Sequence, residues 1–572
     1  MADSSSDLAV RCKASKADKT GKAEKSEKKE KAGKAGKKSK EKQAANVDTK
    51  GLTVSRSQDI SLWYTEMITK AGIANDHHPM VQAMIQAMIQ AMIQAMIQAM
   101  IQANASPFRR SQLFVNRSWH EIQLTHSFQG YYPLFISREN LEKEKEHVDG
   151  FSAEVAWVTH GGKSKLDKPI AVRPTSETAM YRDWSTKITS HRDLPFKRNQ
   201  WNNVVRWEFT HCTPLLRSRE FLWQEGHTAH LTRESADQEV LQILDWYADV
   251  YEQLLAVPVV KGRKTENEKF PGALYTTTIE SFIEANGRAI QAGTSHALGQ
   301  NFAKIYDITV EDPASKKVDG ESQKLYVWGL STRSLGTMLM IHGDDKGAIF
   351  PPRVAEFQVA LIPVGLTART QDTDRQKLLD DIQGIAKTLT ESGIRVECDT
   401  RSQYSPGWKF SEYELRGFPL RIEFGPKDAA NGVVTTVRRD TGEKGTIQTS
   451  DKIADDVQKL LDQIQQDMLT RARKTYQDHI KYTSNWDEVV PLLNAKNVIR
   501  MPHCGDGACA EAVKKETAEM CKTADMDPRA PSMGAKSLCV PFEQIDLPEN
   551  ALCTRANCGK AAVNYTQFGR SY

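Results

Sequence analysis

NNVVRWEF (202–209), followed by a polar loop and then FLWQEGH (221–227), has the make-up of two β-strands that run back on each other. Side chains alternate between the two faces of a strand, so we expect Arg206 and Glu208 to point to the same face. Arginines on sheet strands are suited to fork-like hydrogen bonds with phosphate. The pattern therefore predicts a sheet surface that can hold an anionic ligand.

Two further polar clusters lie in apolar, strand-like surroundings. One is RPTSE (173–177), and the other is QAGTSH (291–296), which is followed by GLSTR (329–333). Each cluster alone could be a surface salt bridge or a satisfied polar group in the core. Together they suit chemistry on a triphosphate, which needs mainly positioning and charge neutralisation. The sequence contains no GxxxxGK[ST] loop, so any nucleotide would be held by side chains on a sheet.

The bulk properties of the chain are those of a globular protein of three or four domains. It has 572 residues, of which 39% are hydrophobic and 26% charged, and its net charge is only +4. Residues 1–50 carry fourteen Lys and one Arg against eight acids, and they contain no aromatic residue. Such a segment cannot bury enough apolar surface to fold alone. It is either a solvated tail or an arm that binds a polyanion such as RNA.

The N-terminal part of the chain contains an unusual repeat. We predict a short amphipathic helix over 51–75, and residues 82–101 are five copies of QAMI. A period of four makes the Met and Ile residues spiral around a helix, and a Gln in every repeat argues against a membrane span. We interpret the repeat as an expansion or an error in the gene model. The start, MADSSSDLAV, lacks the apolar core of a secretory signal, which favours a cytosolic protein.

Periodicity predicts a mixed α/β body over 130–353 and a smaller α/β domain after it. In the body we expect strands at 131–137 and 169–174, and a helix over 235–255 that opens with a Ser235–Gln238 capping box. The later elements alternate strand and helix. They are a strand at 359–364, a helix from Asp374 to Ser392 ended by Gly393, strands in IRVECDT and RIEFGP, a hairpin that turns at 440–442 and a helix over 451–473.

Several motifs in this order resemble a known family. The two strands quoted first resemble the second signature of class II aminoacyl-tRNA synthetases, and GLSTRSLGTMLMIHGDD (329–345) resembles the third. RPTSE, WNNVVRWEF, FLWQEGH, GRAIQAGTSH and the terminal FGRSY are similar to the prolyl-tRNA synthetases of the eukaryotic cytosolic and archaeal-like type. The resemblance covers about 51–75 and about 130 to the end.

The resemblance implies an α+β fold with several domains. A class II antiparallel catalytic sheet with helices is followed by an α/β anticodon-binding domain and a small C-terminal α/β domain that resembles zinc-binding domains. The implied domains are a disordered Lys-rich tail, a catalytic domain, an anticodon-binding domain and a C-terminal domain with a Cys cluster, at 1–50, 51–353, 354–455 and 456–572. The first signature belongs in 76–129, where the QAMI repeats and the residues after them do not align.

The implied activity is proline–tRNA ligase: L-proline and ATP form prolyl-adenylate, and the prolyl group moves to the 3′ end of tRNA(Pro). Arg206 and Arg333 are the expected catalytic residues, and Mg²⁺ would bridge phosphate oxygens. The residues expected to bind proline are Thr175, Glu177, Arg206, Trp223, Glu225, His227 and His296. Those expected to bind ATP are Arg206, Glu208, Arg217, Ser218, Gln291, Thr294, Ser331 and Arg333.

The second domain carries a candidate surface for unstacked bases. YSPGWKF (404–410) resembles the anticodon-reading surface of the family, and aromatic faces combined with cations suit nucleotide bases. The expected anticodon-binding residues are Arg401, Tyr404, Trp408 and Lys409. The alternative is that Trp408 simply packs in the core.

The cysteines indicate a metal site near the C-terminus. Six of the nine follow residue 503. Cys504 and Cys509 form one pair and Cys553 and Cys558 another, each with four residues between, and two pairs of thiolates suit a structural tetrahedral Zn²⁺. The first pair matches the zinc pair of the family, whereas the second is wider than in relatives. The remaining two, Cys521 and Cys539, are expected to pack as small hydrophobic residues.

Three functions stay open at this point. The first is an active synthetase for proline; the second is a non-catalytic tRNA-binding or regulatory relative that lost the first signature and dimer element. The third is a synthetase for another small amino acid, such as threonine or serine. The family is homodimeric, and no membrane partner is expected. The roughly one hundred residues between Glu225 and Gly329 leave no room for the editing insertion of bacterial-type relatives.

Overall fold

The computed structural model describes residues 51–73, 130–147, 155–207, 212–311, 321–322, 324–522 and 534–572. They fall into two compact units. The larger unit takes residues 54–345, 349–356 and 462–572, and the smaller takes 51–53, 346–348 and 357–461. The predicted Lys-rich tail, the QAMI repeats, the first-signature region 76–129 and Glu208 lie outside the described residues.

The α-helices of the described part are α1 (Ile60–Lys70), α2 (Arg138–His147), α3 (Glu177–Lys187), α4 (Arg233–Asp249), α5 (Asn301–Ile305), α6 (Arg333–His342), α7 (Asp372–Glu391), α8 (Pro406–Leu415), α9 (Pro426–Asn431), α10 (Ile453–Asp478), α11 (Val489–Asn494) and α12 (Gly507–Lys522). Short 3₁₀ turns lie at His191–Asp193, Glu284–Asn286 and Trp486–Glu488, and a π-turn lies at Val250–Leu254. No helix of the described residues is long and apolar enough to cross a membrane.

The strands are β1 (Phe135–Ser137), β2 (Trp157–Gly161), β3 (Ser164–Val172), β4 (Phe196–Val205), β5 (Glu220–His230), β6 (Val260–Arg263), β7 (Tyr275–Ile283), β8 (Arg288–Gly299), β9 (Thr309–Val310), β10 (Glu321–Ser322), β11 (Lys324–Ser331), β12 (Val359–Pro363), β13 (Val396–Cys398), β14 (Leu420–Phe424), β15 (Val433–Arg438), β16 (Lys444–Gln448), β17 (Ile480–Tyr482), β18 (Val498–His503), β19 (Lys536–Pro541) and β20 (Asn564–Ser571).

The larger unit is built on a ten-stranded sheet in the order β17-β18-β20-β19-β6-β7-β8-β11-β5-β4. All neighbours from β6 to β4 are antiparallel. This confirms the antiparallel sheet implied by the resemblance. The strands near the C-terminus extend the same sheet, because β19 pairs with β6 through Val540 and Arg263. The end of β20 also pairs in parallel with β8, where Arg570 faces Arg288.

The helix α4 packs on β7, β8 and β11 and closes one face of this sheet. Val240, Leu244 and Tyr247 are buried in that layer. The helix begins at Arg233, because the hydroxyl of Thr232 accepts a hydrogen bond from the backbone N–H of Ser235 at 3.3 Å. The predicted Ser235–Gln238 capping box is therefore wrong: the cap lies three residues earlier.

The predicted helix over 51–75 is shorter than expected. It starts at Ile60, because the Asp59 carboxylate accepts hydrogen bonds from the backbone N–H groups of Ser61 and Leu62. Its buried face reaches the neighbouring elements: the Trp63 indole donates to Asp344 O at 3.1 Å, and the Tyr64 hydroxyl donates to Pro214 O at 3.1 Å. The helix thus braces α6 and the loop before β5.

The smaller unit is an α/β domain with the five-stranded order β13-β12-β14-β15-β16. β12 is parallel to β13 and β14, whereas β15 and β16 are antiparallel additions. The expected end of α7 is confirmed: Gly393 has a φ of 85°, the left-handed conformation that ends helices. The hairpin of β15 and β16 turns through Gly442, at a φ of 73°.

Candidate active site

Several of the predicted site residues lie on one face of the antiparallel sheet, as the pairing register shows. Glu225 on β5 pairs with Gln200 on β4 and with Gly329 on β11, and Gly329 in turn pairs with Thr294 on β8. Directly paired residues lie on the same face of a sheet. Glu225 and Thr294 therefore share that face, and the glycine between them leaves it uncovered.

The neighbouring rows of the register extend the same face. Trp223 pairs with Ser331, two residues along each strand from the central row. In the opposite direction, His227 pairs with Val327, which pairs with His296. The larger unit thus brings Trp223, Glu225, His227, Thr294, His296 and Ser331 to one surface, which we call the active face.

A β-bulge adds Gln291 to the active face. Thr294 comes three positions after Gln291, an offset that puts the two on opposite faces of a regular strand. The register between β7 and β8 shifts between Ile279 and Glu280, so that Thr278 pairs with Thr294 but Glu280 pairs with Gln291. The bulge returns Gln291 to the face of Thr294.

A carboxylate with hydrogen-bond partners on both of its oxygens lies at the centre of the active face. Glu225 is fully buried. Its Oε1 accepts hydrogen bonds from Ser176, Gln200 at 2.7 Å and Asn202 at 2.9 Å, and its Oε2 contacts His227 Nε2 at 3.1 Å. Burial raises the pKa of Glu225, but the hydrogen bonds from His227, Ser176 and Asn202 outweigh it and leave the pKa below its usual value. Glu225 is therefore an anion held in a fixed position on the active face.

Sequence reasoning missed the partners of this carboxylate. Gln200 and Asn202 come from β4, and the Asn202 side chain also accepts a hydrogen bond from the Trp223 indole at 2.5 Å. The Tyr181 hydroxyl contacts His227 Nδ1 at 2.9 Å. The signal that could have revealed Gln200 and Asn202 is their alternation along β4, on the face opposite Trp201.

Thr175 and Glu177 lie at the start of α3, beside this network. Both side chains are buried, and the Thr175 hydroxyl donates to Glu177 Oε2. The neighbouring Ser176 binds Glu225, so RPTSE is connected directly to β5. A buried carboxylate and a hydroxyl in this position suit a cationic amine.

Arg206 lies just beyond the strand that was expected to carry it. β4 ends at Val205, although the Arg206 backbone N–H still donates to Arg219 O at 2.7 Å. The Arg206 Nε donates to Pro174 O at 3.2 Å, and the guanidinium lies 5.5 Å from the Trp223 ring. The prediction that Arg206 sits on the strand is wrong by one residue, because the chain leaves the sheet to form the loop before β5.

Arg333 is the first residue of α6, and its Nε donates to Leu216 O at 3.0 Å. Its backbone N–H donates to Ser331 Oγ at 3.3 Å. Burial lowers the pKa of Arg333, Tyr251 opposes this effect, and the charges of Arg206 and Arg217 lower the pKa further. Arg206 and Arg217 thus repel the guanidinium of Arg333, and a polyanion would relieve that repulsion. Ser218 follows Arg217 in the same loop.

His296 is neutral on the active face. Its Nδ1 contacts Thr276 Oγ1 at 2.9 Å, and its ring lies 4.9 Å from that of Phe270. Burial lowers the pKa of His296 to about 3, with further lowering from the charges of Arg206, His227 and Lys264. A neutral imidazole can position a ligand without adding to the positive charge of the arginines.

The expected base-binding residues of the smaller unit divide into two groups. Tyr404 and Trp408 are stacked, with ring centroids 3.8 Å apart and planes at 11°, and both are partly exposed. Arg401 lies 4.8 Å from the Tyr404 ring and forms a two-pronged ion pair with Asp399. Lys409, in contrast, is buried, and its ammonium donates to Asp399 O at 2.9 Å. The alternative of Trp408 as a core residue does not match this partial exposure.

The four predicted cysteine ligands come together in the larger unit. Cys509 Sγ lies 3.8 Å from Cys553 Sγ and 3.6 Å from Cys558 Sγ, and Cys558 Sγ lies 3.8 Å from Cys504 Sγ. Sulfur ligands around a tetrahedral zinc ion, each about 2.3 Å from it, are about 3.8 Å apart. All four are free thiols. The donor set therefore fits Zn²⁺.

Sequence reasoning missed a histidine beside these thiols. One ring nitrogen of His503 lies within 4.8 Å of the sulfurs of Cys504, Cys509 and Cys553. Its Nδ1 accepts the N–H of Gly505 at 3.1 Å, and its buried Nε2 has no hydrogen-bond partner among the described residues. The two non-cluster cysteines, Cys521 and Cys539, are buried, as predicted.

Comparison with known proteins gives three domain matches along the chain. Residues 158–339 match the tRNA synthetase class II core domain (G, H, P, S and T). Residues 358–460 match the anticodon binding domain, and residues 486–572 match the C-terminal domain of prolyl-tRNA synthetase.

Individual relatives are similar over most of this chain. A putative proline–tRNA ligase of Saccharomyces cerevisiae is 50% identical over 77% of this chain, and a cytoplasmic proline–tRNA ligase of Arabidopsis thaliana is 50% identical over 77% of this chain and 79% of its own. The proline–tRNA ligase of Encephalitozoon cuniculi is 41% identical over 91% of this chain and 99% of its own. The chain spans 64% of the yeast relative, and 26% and 29% of two bifunctional glutamate/proline–tRNA ligases. The sheet, the three domain matches and these identities together show that the chain belongs to the prolyl-tRNA synthetase family of class II aminoacyl-tRNA synthetases.

Proposed function

We propose that the chain is a proline–tRNA ligase, which activates L-proline with Mg–ATP and transfers the prolyl group to the 3′ end of tRNA(Pro). The observation that carries this proposal is the cluster of Arg206, Arg217 and Arg333 at the Trp223 end of the active face, on which Glu225 is the next residue along β5. Such an arrangement offers cations to a triphosphate next to a compact polar pocket. The relatives named as proline–tRNA ligases support the same assignment.

In the first step Thr175 and Glu177 bind the proline amine, and Arg206 binds the proline carboxylate together with the α-phosphate. A carboxylate oxygen of proline attacks the α-phosphorus, and pyrophosphate leaves. Arg206 neutralises the charge that develops on the α-phosphate, and Arg333 holds the leaving pyrophosphate. Trp223, Glu225, His227 and His296 shape the proline pocket.

The nucleotide is held by residues of the sheet and of the loop before β5. They are Glu208, Arg217, Ser218, Gln291, Thr294, Ser331 and Arg333, with Arg206 at the reacting phosphate. In the second step a hydroxyl of the terminal ribose of tRNA attacks the activated carbonyl carbon, and AMP leaves. No side chain needs to form a covalent intermediate, because positioning and charge neutralisation supply the catalysis.

The assay that tests the proposal is proline-dependent exchange of pyrophosphate into ATP by the full chain. We expect exchange with proline and a loss of about 100- to 1,000-fold in Arg206→Ala. Arg375→Ala removes an exposed guanidinium of α7 that binds Thr367 O, and serves as the control. Exchange with threonine or serine instead would assign another substrate. Retained tRNA binding without any exchange would identify a non-catalytic relative.

We further propose the finer features of the family for this chain. Tyr404, Trp408 and Arg401 contact anticodon bases, whereas Lys409 positions Arg401 through their shared partner Asp399. Cys504, Cys509, Cys553 and Cys558 hold a structural Zn²⁺, which when bound cross-links the two halves of the C-terminal domain. The domains are those expected from the sequence: a tail at 1–50, then 51–353, 354–455 and 456–572. The enzyme is a cytoplasmic homodimer, and sedimentation of the full chain tests the dimer.

A further inference from the structure

A buried ion pair lies beside Gln291, on the same face of the sheet, and plays no part in the mechanism above. The Lys264 ammonium lies 2.6 Å from Glu280 Oε1, and the two side chains are only 5% and 1% exposed. Taking two charges out of water is costly unless both are well paired, so a buried pair calls for a reason beyond stability. Its position in the sheet supplies one.

The carboxylate of this pair lies at the bulge that creates the nucleotide surface. Glu280 is the first residue after the register shift and pairs directly with Gln291. Its Oε1 also accepts a hydrogen bond at 2.7 Å from the hydroxyl of Thr278, which pairs with Thr294. The Glu280 carboxylate thus fixes two positions of β7, its own and that of Thr278. These positions pair with Gln291 and Thr294, the residues proposed to face the nucleotide.

The ammonium of the pair is anchored in the C-terminal domain. Lys264 Nζ donates to Leu538 O on β19 at 2.9 Å, and the adjacent Thr265 and Ser537 hydroxyls lie 2.9 Å apart. A second connection runs from the backbone of Glu280: its carbonyl accepts a hydrogen bond from the Tyr476 hydroxyl at 3.4 Å. The bulge is therefore held from the domain that follows the anticodon-binding unit in sequence.

The pair also acts on the arginine of the site through its charge. Burial lowers the pKa of Arg333, and the negative charge of Glu280 opposes that effect. Without the Glu280 charge, less negative charge would offset the positive charge of the guanidinium groups when ATP is not bound.

We propose that Lys264 and Glu280 are positioning residues for ATP: they lock the β7–β8 bulge so that Gln291 and Thr294 face the nucleotide together. Leu538 of the C-terminal domain holds the lysine in place. This inference rests on the proposed function for the identity of the nucleotide. It assigns the C-terminal domain a direct part in building the ATP site.

The experiment compares Lys264→Met, Glu280→Gln and the double variant K264M/E280Q in the full chain. The double variant leaves no unpaired buried charge, so it retains the fold even where a single variant does not. ATP binding is measured by titration calorimetry, and the KM values for ATP and for proline are measured by pyrophosphate exchange. We expect Kd and KM for ATP to rise about tenfold or more, and KM for proline to change less than about threefold.

The matched control is Lys197→Met, which breaks the ion pair of Lys197 on β4 with Glu239 on α4 at 2.7 Å. It should leave both KM values within about twofold of the unmodified chain. An unchanged ATP affinity in the double variant, or equal changes for ATP and proline, overturns the inference. Absence of proline-dependent exchange in the unmodified chain overturns the proposed function instead, while the calorimetric comparison still decides the role of the pair.

Discussion

Gly329 faces Glu225 across the β5–β11 pair, so the buried carboxylate has bare backbone beside it on the active face. A Cβ atom at Gly329 would lie 3.2 Å from the Trp223 ring, closer than ordinary packing allows. The glycine therefore leaves the space beside Trp223 and Glu225 open, and the proposed function assigns that space to the small ring of proline. No charged motif reveals this feature, because it depends on the absence of a side chain.

Gly329→Val should close the proline pocket. The valine side chain would displace Trp223 and reduce kcat/KM for proline about 100-fold or more, because ångström shifts in positioning groups cost that much. Pyrophosphate exchange at varied proline concentration measures the effect. Gly384→Ala is the control, since a Cβ there meets nothing within 4 Å. An unaltered KM for proline in Gly329→Val would show that the pocket lies elsewhere.

His296 should make the fold sensitive to mild acid. The folded chain keeps His296 neutral down to about pH 3, whereas the unfolded chain protonates it below about pH 6.5. Lowering the pH from 7 to 5 thus favours unfolding by up to about 2 kcal/mol for this group. In His296→Gln the unfolding free energy should fall less over that range, as measured by urea unfolding at each pH. His160→Gln, at an exposed site, should behave like the unmodified chain; identical pH dependence in all three would refute this.

Trp408→Ala should weaken tRNA charging but not adenylate formation. Stacking on an aromatic ring contributes about 1–3 kcal/mol per base, so KM for tRNA should rise roughly 5- to 150-fold. Aminoacylation and pyrophosphate exchange are measured side by side. Trp157→Ala, at a partly exposed tryptophan of the larger unit, is the control. A parallel loss in both reactions would mean that Trp408 acts on the fold and not on the anticodon.

Removal of zinc should loosen the C-terminal domain, and His503 should tune the metal affinity. Substitution of groups that support metal ligands typically costs 10- to 100-fold in affinity, so His503→Phe should bind Zn²⁺ about that much more weakly while keeping one ion per chain. Competition with a chelator measures the affinity, and Cys521→Ala is the control. An affinity equal to that of the unmodified chain would exclude His503 from the site.

The sequence was sufficient for the family and for most of the residues that meet on the active face, because charged and polar motifs keep their order along the chain. The residues Trp223, Glu225 and His227 alternate along β5, so simple strand geometry brought them to one face. The antiparallel direction of the sheet came from the resemblance alone. Periodicity within a strand carries no information on the direction of its neighbour.

What the sequence did not disclose depends on contacts between distant strands. Gln291 and Thr294 share a face only because of a bulge opposite Glu280, and a register shift leaves no local pattern. Arg206 left the strand one residue early because the loop before β5 begins there. The burial of Lys409 follows from a partner, Asp399, ten residues away in sequence. Each miss is a case in which tertiary pairing overrode a local pattern.

The pairing of β6 with β19 has a consequence for synthesis of the chain. Roughly 270 residues separate the two strands, so at about 5–20 residues per second the ribosome needs on the order of 15 to 55 s between them. During that interval β6 is an open sheet edge, which other nascent chains can add to. Chaperones that cover β6 during that interval would thus limit aggregation and raise the yield of folded chain. A chain that ends before β19 would keep the edge open and aggregate, whatever its catalytic activity.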